Sequence, residues 1–357
     1  MLTPRCSLVM ALALTFSAFA VDSADAAQVP KIEKPRPAPS TTKMPPLPPA
    51  VIDDTLAIGG EDINARKVST RMTVEVLVNG RGPYRFLVDS GADTSVVGLR
   101  IARELQLPVA SPAILHGMTA SARVDRVKVD QLSLGQSTFR NLELPALREQ
   151  DLGGDGMVGI DALVEQRLMM DFEKRVIKAE DARQPAKLLD GEIVVTARRR
   201  RGQLILTQVK AVGLPLEAVV DTGSEITIGN LALRDKLIRG NRDKFLTVRA
   251  TGVTGVTIEL QLARIGELRL GSVTLRDVPI AFADVPPFQV FGLSKGPALL
   301  LGTDLLETFR RVSLDFRARK VRFQLRRCGS TGVMISTQPS SWTTRLSSNE
   351  NMAVCRR

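Results

Sequence analysis

Most of the chain alternates apolar and polar residues with the two-residue period of β-strands. RMTVEVLV at 71–78 is one such stretch, and Gly, Asn and Pro interrupt the stretches at hairpin spacing. Because strand side chains point alternately to opposite faces of a sheet, the pattern predicts short strands with one buried face. Short segments with a helical pattern lie at 99–105, 162–167, 231–237 and 305–310. The sequence predicts an all-β fold with a few short helices.

One pattern occurs twice. FLVDSGADTSVVG at 86–98 and AVVDTGSEITIGN at 218–230 each lead from an apolar strand into Asp, a hydroxyl residue and Gly, and then return to apolar residues. Alignment of the two copies on Asp89 and Asp221 extends the match upstream through a strand, a turn and a second strand. The repeat therefore predicts two similar β-rich lobes.

The match also continues downstream. In each copy a second hairpin-like stretch is followed by an apolar pair before a glycine, which is Gly159 in the first copy and Gly302 in the second. The interval from Asp221 to Gly302 is longer than that from Asp89 to Gly159, which indicates one loop insertion. We expect both glycines to mark places where two backbones approach closely.

The two lobes are expected to occupy 51–190 and 191–327. Before them, a basic residue and an apolar run too short to span a membrane predict a signal peptide over 1–27, with an uncleaved anchor as the alternative. The Pro-rich stretch 28–50 is poor in bulky apolar residues, so we expect a linker outside the fold. The Ser- and Thr-rich stretch 328–357 is expected to be a tail.

Cysteine use agrees with export to the periplasm or the medium. Cys6 would leave with the signal peptide, so that only Cys328 and Cys355 remain. In an oxidising compartment these two are expected to form one disulfide that fixes the tail, with two unpaired thiols as the alternative.

Charge adds little to the choice of partner. The formal net charge of +11 favours contact with anionic polymers of a cell envelope, but only 4% of the residues are aromatic, so few side chains could stack on nucleic-acid bases. We therefore expect no nucleic-acid partner. The basic run 198–201 is expected to form a solvated turn between the lobes.

The duplicated Asp motif resembles the retropepsin-like branch of the aspartic proteases. That resemblance rests on Asp-Ser-Gly and Asp-Thr-Gly after a strand, each followed by a hairpin and an apolar-apolar-Gly segment. It covers both lobes and implies two β-barrel lobes that contribute one catalytic aspartate each, Asp89 and Asp221. It also implies that Ser90 and Thr222 hydrogen-bond across the lobe junction. The residues expected to support the aspartates are Ser90, Gly91, Ala92, Thr222, Gly223 and Ser224.

Two adjacent carboxyl groups can hydrolyse a peptide without metal or cofactor. One carboxylate takes a proton from water while the other, protonated, donates to the carbonyl oxygen. Because two carboxyl groups about 3 Å apart cannot both ionise, the pair shares one proton.

The two loops differ at the position after the glycine, which is Ala92 in the first lobe and Ser224 in the second. If the Ser224 hydroxyl donates to Asp221, Asp221 becomes the ionised base and Asp89 the acid.

Two turns are expected to form flaps over the cleft. The turn around LHGMTA places His116, Gly117 and Met118 at one tip, and RATGVTGV places Gly252 and Gly255 at the other. His116 could instead be an exposed turn residue. Pepsin-like enzymes carry a tyrosine on a flap, whereas the only tyrosine of this chain lies before Asp89. This difference favours the retropepsin-like branch.

Other motifs predict no second chemistry. GLSKG at 292–296 resembles a serine-hydrolase elbow, but that chemistry needs a histidine after the serine, and the sole histidine is His116. GDGMVG at 154–159 lacks the preceding strand of a dinucleotide site. One histidine and no cysteine cluster argue against a zinc site. Structural roles are expected for Asp161, Asp171, Asp304 and Asp315.

These observations predict an exported aspartic endopeptidase with a peptide or protein substrate and no cofactor or metal. No membrane span is expected after removal of the signal peptide. The first alternative is a non-catalytic module of the cell envelope that keeps the cleft for peptide binding or assembly. A second alternative concerns assembly, since the lobes could pair within a monomer or between two chains of a homodimer.

Overall fold

The computed structural model of the chain describes residues 36–37, 61–64, 66–68, 71–135, 137–163, 166–186, 191–238, 245–326 and 334–337. Most of these residues lie in β-strands, as the alternating pattern predicts. The strands are β1 (Arg36–Pro37), β2 (Glu61–Asn64), β3 (Arg66–Val68), β4 (Arg71–Val78), β5 (Arg81–Val88), β6 (Val96–Gly98), β7 (Val109–His116), β8 (Ser121–Leu134), β9 (Ser137–Leu147), β10 (Gly156–Val158), β11 (Gln166–Asp171), β12 (Val176–Asp181), β13 (Glu192–Arg200), β14 (Gln203–Ala211), β15 (Leu214–Val220), β16 (Ile228–Gly229), β17 (Leu246–Thr251), β18 (Thr257–Leu270), β19 (Val273–Phe282), β20 (Ala298–Leu301), β21 (Phe309–Asp315), β22 (Lys320–Leu325) and β23 (Met334–Thr337). The α-helices are α1 (Leu99–Glu104), α2 (Glu149–Leu152), α3 (Leu231–Leu237), α4 (Pro286–Val290) and α5 (Thr303–Leu306), and Ile160–Ala162 forms a 3₁₀ turn.

The first lobe is a closed barrel. Its strands follow the order β4, β5, β10, β6, β9 and β8, and the ring closes because β8 pairs with both β9 and β4. The alternation in β4 buries Val74, Val76 and Val78 while Glu75 and Leu77 are exposed. Two parallel pairings, β5 with β10 and β6 with β9, bring the ends of these strands together at one end of the barrel.

The second lobe repeats this arrangement strand for strand. The order β14, β15, β20, β16, β19 and β18 closes through the pairing of β14 with β18. The parallel pairings recur as β15 with β20 and β16 with β19. Most of the extra length of the second copy lies between β19 and β20, where α4 occurs, so the expectation of a single insertion holds only in part.

A six-stranded antiparallel sheet joins the lobes in the order β2, β12, β11, β21, β22 and β13. At its centre β11 pairs with β21, and two ion pairs cross this seam. Arg167 Nε lies 3.0 Å from Asp315 Oδ2, and Arg311 Nε lies 2.5 Å from Asp171 Oδ2. Since the two pairs are equivalent in the repeat, the sheet fixes the lobes about an approximate twofold axis.

Four features depart from the sequence-based expectations about helices. The predicted helix at 162–167 is wrong, because the 3₁₀ turn ends at Ala162 and β11 begins at Gln166, where the sheet between the lobes recruits the segment. The predicted helix at 305–310 is α5, which ends at Leu306 before β21 begins. Helices α2 and α4 were not predicted, and each is too short to show a helical period.

Two segments expected outside the lobes contribute strands to them. Arg36–Pro37, in the Pro-rich stretch, pairs with β8, so the expectation that 28–50 lies wholly outside the fold is wrong at these residues. Met334–Thr337, in the expected tail, pairs with β19. The expected signal peptide, Cys328 and Cys355 lie outside the described residues. Within the described part of the chain, no helix has the length and apolarity that a membrane crossing requires.

Candidate active site

Asp89 and Asp221 lie in equivalent loops that leave β5 and β15. The N–H of Asp89 donates to Val158 O at 2.9 Å, and the N–H of Asp221 donates to Leu301 O at 3.0 Å. The acceptors are the last residues of the parallel neighbours β10 and β20. Each loop is therefore held at the end of two rigid strands.

Hydrogen bonds cross between the two loops. Ser90 N–H donates to Thr222 Oγ1 at 2.9 Å, and Thr222 N–H donates to Ser90 Oγ at 3.2 Å. Each hydroxyl then donates onward into the opposite lobe, from Ser90 to Val220 O at 2.9 Å and from Thr222 to Val88 O at 2.8 Å. Both side chains are buried, so these four bonds fix the relative position of the loops.

The same loops bring the two carboxyl groups together. In each, Oδ1 accepts the N–H groups two and three residues later, at 2.7 and 3.1 Å for Asp89 and at 3.0 and 3.1 Å for Asp221. The donors are Gly91, Ala92, Gly223 and Ser224. Each carboxyl group also lies against the glycine of the opposite loop, since β-carbons on Gly91 and Gly223 would collide with Asp221 and Asp89. Two buried carboxyl groups held this close cannot both be ionised, so they share one proton.

Burial and mutual repulsion determine where this proton lies. Burial raises the pKa of Asp221 well above its usual value, and the negative charge of Asp89 raises it further. Burial also raises the pKa of Asp89, but the N–H of Gly91 and the proton that Asp221 can share oppose the increase. The larger rise at Asp221 favours Asp221 as the holder of the shared proton.

The expected hydrogen bond from the Ser224 hydroxyl to Asp221 is wrong. The Ser224 hydroxyl donates to Ile226 O at 2.8 Å, and its oxygen accepts the Ile226 N–H at 3.4 Å. A hydroxyl has one proton to donate, and here the local turn takes it. Ser224 contacts Asp221 only through its backbone N–H, as Ala92 contacts Asp89, so the side chains at this position do not differentiate the carboxyls.

A second pair of aspartates supports the loops from behind. Ser95 donates to Asp161 through N–H and hydroxyl at 2.8 and 2.7 Å, and Thr227 donates to Asp304 in the same way at 3.0 and 2.6 Å. Burial raises the pKa of both aspartates, although these hydrogen bonds oppose it. Asp161 and Asp304 thus stabilise the two loops from behind the carboxyl pair.

Gly159 and Gly302 lie where this support meets the loop backbone. A β-carbon on Gly159 would lie 2.6 Å from Thr94 C, and one on Gly302 would lie 2.6 Å from Ile226 C. Real side chains do not reach so close, and the obstacle is backbone. Each glycine therefore permits an approach that no other residue could make without displacing the loop.

Two hairpins cover the carboxyl pair, and we call them the first flap (β7–β8) and the second flap (β17–β18). Gly117 and Met118 lie in the tip of the first flap, and Gly252 and Gly255 in the tip of the second. Met118 packs on an apolar cluster of the second lobe, and Val253 packs on one of the first lobe. Each flap therefore reaches across the junction to the opposite lobe.

The flap tips contact each other through a repeated Gly-x-Thr sequence. Thr119 Oγ1 lies against Gly252, and Thr254 Cγ2 would lie 3.4 Å from a β-carbon on Gly117. Thr119 is 8% exposed and Thr254 6%, and neither hydroxyl has a hydrogen-bond partner. The contact between the flap tips thus buries two hydroxyl groups that have no hydrogen-bond partner.

The flaps and the two loops enclose a cleft of about 370 Å³ with both aspartates on its wall. His116 also lines it, at the end of β7, where its Nδ1 lies 2.7 Å from Ser121 Oγ. Partial burial and the nearby Arg201 lower its pKa. His116 is therefore a half-buried cleft residue, not the exposed turn residue considered from the sequence.

Several cleft residues were missed by the sequence analysis. Asp93 lies four residues after Asp89, and Glu225 lies four residues after Asp221. The repeat alignment therefore pairs these two acids. Arg201 Nε lies 3.7 Å from Asp93 and belongs to the cleft wall, so the run 198–201 is not simply a solvated turn. Gln203 donates to Asp93 from the start of β14.

The described residues contain no group of three or more His, Cys, Asp or Glu side chains that could hold a metal ion.

Gly255, in the tip of the second flap, lies against the ion pair of Arg148 and Asp151. The remaining expected site residues surround the carboxyl pair or the cleft, as described above.

Comparison with known families identifies the class of protein. A family model described as aspartyl protease matches residues 74–162 and again residues 207–305. The matched regions cover more than half of the 357 residues, one in each lobe. The chain belongs to the aspartyl protease family, with two retropepsin-like lobes. No curated protein matches it.

Proposed function

We propose that the protein is an aspartic endopeptidase in which Asp89 and Asp221 form the catalytic pair. The observation that supports this most is that two buried carboxyl groups, one from each lobe, meet on the wall of a cleft covered by flaps, and that each lies against the Asp-hydroxyl-Gly loop of the other lobe. A pair that shares one proton offers a base and an acid at the same point, as peptide hydrolysis requires.

The proton positions define the steps. Ionised Asp89 takes a proton from water as the water oxygen attacks the peptide carbonyl carbon, and Asp221 gives its proton to the carbonyl oxygen. The resulting gem-diol collapses as the C–N bond breaks. Asp89 then protonates the departing nitrogen, and Asp221 recovers a proton from a diol hydroxyl. The pair ends in its starting state.

The substrate is a peptide in extended conformation. The cleft passes between the flaps and the loops, where strand edges can pair with a peptide backbone and alternate side chains can enter pockets. Because one chain supplies both aspartates, a monomer is the proposed active species. Gel filtration of the active fraction distinguishes it from a homodimer.

The decisive experiment is cleavage of a diverse peptide library at mildly acidic pH, with and without a statine-type inhibitor that mimics the tetrahedral intermediate. Cleavage that the inhibitor blocks is expected. Peptide binding without cleavage at any pH would support the non-catalytic envelope module instead.

We also propose that the protein is exported to the periplasm or the medium, on the basis of the N-terminal apolar run and the Pro-rich stretch. N-terminal sequencing of the mature protein tests this proposal. Cleavage within the first 27 residues is expected, whereas an intact N-terminus on a cell-associated protein would favour the anchor.

A further inference from the structure

In each lobe, the residue that begins a barrel strand reaches across the junction to the aspartate loop of the other lobe. Arg71, which begins β4, donates through Nη1 to Gly223 O at 3.4 Å and pairs through Nη2 with Glu225 at 3.0 Å. Gln203, which begins β14, donates through Nε2 to Gly91 O at 3.3 Å and to Asp93. The two residues are equivalent in the repeat, and both link to a loop carbonyl and to the acid that follows.

The equivalent residues differ in charge. Arg71 carries a positive charge in a side chain that is 14% exposed, and its Nε is buried without a hydrogen-bond partner. Gly153, at φ +79°, leaves room for the guanidinium group. Gln203 is neutral and fully buried. The crossing links are therefore symmetric in position and differ in charge. The second lobe also places a positive charge beside the first loop, since Arg201 Nε lies 3.7 Å from Asp93, but that charge is not on the equivalent residue.

The charge of Arg71 acts on one carboxyl through a short path. Gly223, whose carbonyl Arg71 contacts, lies directly against the carboxyl group of Asp89. The charged groups that face Asp89 are Asp221 and Arg71. Burial raises the pKa of Asp89, and the positive charge of Arg71 opposes this rise. Glu225 offsets part of this charge but is 37% exposed, so solvent screens it more than it screens Arg71.

We propose that Arg71 is a positioning residue that makes Asp89 the ionised member of the pair, while Gln203 supplies only the matching mechanical link. This inference rests on the proposed function. It explains the asymmetry of the pair, which the side chains of Ala92 and Ser224 do not explain.

The test is the pH dependence of kcat/KM. Arg71→Gln places the same side chain at the start of β4 and β14, and it should raise the midpoint of the acidic limb by about one pH unit, because ionised Asp89 loses a nearby positive charge. Glu225→Gln removes the opposing charge and should lower that midpoint. Arg71→Lys keeps the charge and should restore the wild-type limb.

Two control variants distinguish the loss of a charge from the loss of a hydrogen-bonded link between the lobes. Gln203→Ala removes a link without removing a charge, so kcat/KM should fall at every pH with the limb unmoved. Arg264→Gln removes an exposed positive charge that pairs with Asp277 away from the cleft and should change neither quantity. A uniform loss in Arg71→Gln, with its limb unmoved, overturns the inference and leaves Arg71 a structural tie.

The inference fails separately from the proposed function. If the wild type cleaves no peptide, the proposed function is wrong, and the inference is then tested by ¹³C NMR titration of aspartate Cγ, with Asp89 assigned from Asp89→Asn. The first protonation of Asp89 should move to higher pH in Arg71→Gln and to lower pH in Glu225→Gln. If Arg71→Gln does not fold, Glu225→Gln alone decides, because an unmoved Asp89 titration overturns the inference.

Discussion

Gly91 of the first lobe lies against Asp221 of the second, so that a β-carbon on Gly91 would stand 2.7 Å from Asp221 Cγ. Gly223 lies against Asp89 in the same way. Each Asp-hydroxyl-Gly motif therefore has a glycine because of the carboxyl in the other lobe. The motif is explained by the pair of loops and not by either loop alone.

Gly91→Ala should separate the carboxyl groups. A methyl group cannot occupy that position, so Asp221 or its loop must shift, and we expect kcat/KM to fall by about 100-fold or more, since small displacements of reacting groups are costly. Steady-state kinetics at the optimal pH measures this. Gly266→Ala is the matched control, because a β-carbon there meets no atom within 4 Å, and its kcat/KM should stay at the wild-type value.

Asp221→Asn should stabilise the protein at neutral pH. The pKa of Asp221 is raised in the folded state, so its stabilising contribution is present in acid and is lost as the pH rises through the folded pKa. At pH 7 folding makes Asp221 take up a proton, and asparagine avoids that cost, so we expect a gain of about 1 kcal/mol or more, which disappears below the ordinary carboxyl pKa of about 3.9.

Urea denaturation at the two pH values measures this gain. Asp235→Asn, a change at an exposed aspartate, should leave the free energy of unfolding within about 0.5 kcal/mol of wild type. Loss of stability in Asp221→Asn at neutral pH would contradict the protonation assigned to the pair.

Ser224→Ala should leave the pH profile unchanged. The hydroxyl donates to Ile226 O and not to Asp221, so its removal costs one local hydrogen bond, about 1 kcal/mol of stability. Thermal denaturation and the acidic limb of kcat/KM are the two readouts. A displaced limb with unchanged stability would show that the hydroxyl bonds Asp221 after all.

Thr119→Val should separate the stability of the closed flaps from substrate binding. Valine has nearly the same shape and removes a buried hydroxyl that has no partner, so the unfolding free energy should rise by about 1 kcal/mol. If a substrate backbone satisfies this hydroxyl, kcat/KM should fall by about 5- to 10-fold.

Thr251→Val is the control for Thr119→Val. The Thr251 hydroxyl bonds Thr257 at 2.8 Å on the second flap, next to its tip, and so has the partner that the Thr119 hydroxyl lacks. Its replacement should not raise stability. Unchanged kcat/KM in Thr119→Val would mean that the tip hydroxyl has no role in binding.

Much of this fold follows from patterns within short segments. Alternation in segments such as β4 predicts strands with one buried face, and the repeated Asp motif predicts two equivalent loops. The pairing of β11 with β21 could not be predicted in this way, because alternation defines the faces of a strand but not its partner. The error at 162–167 has the same origin, since its short apolar run suits a helix or a buried strand.

The side-chain contacts of the site were harder to predict than its residues. Ser224 lies at the expected position, but its hydroxyl rotates to a backbone carbonyl that the sequence does not indicate. Arg71 and Gln203 act on loops far away in sequence. The sequence did carry one sign of these contacts. The repeat alignment places Asp93 opposite Glu225, and an acidic residue at the same position of both copies indicates that each one has a partner in the structure.

The central claim is that Asp89 and Asp221 act as one catalytic pair, and the most direct test compares Asp89→Asn with Asp221→Asn on the same peptide. Each variant should fold, and each should lose about 10²- to 10⁴-fold or more in kcat/KM, since each removes either the base or the acid. Cleavage at the wild-type rate by either variant would contradict the account.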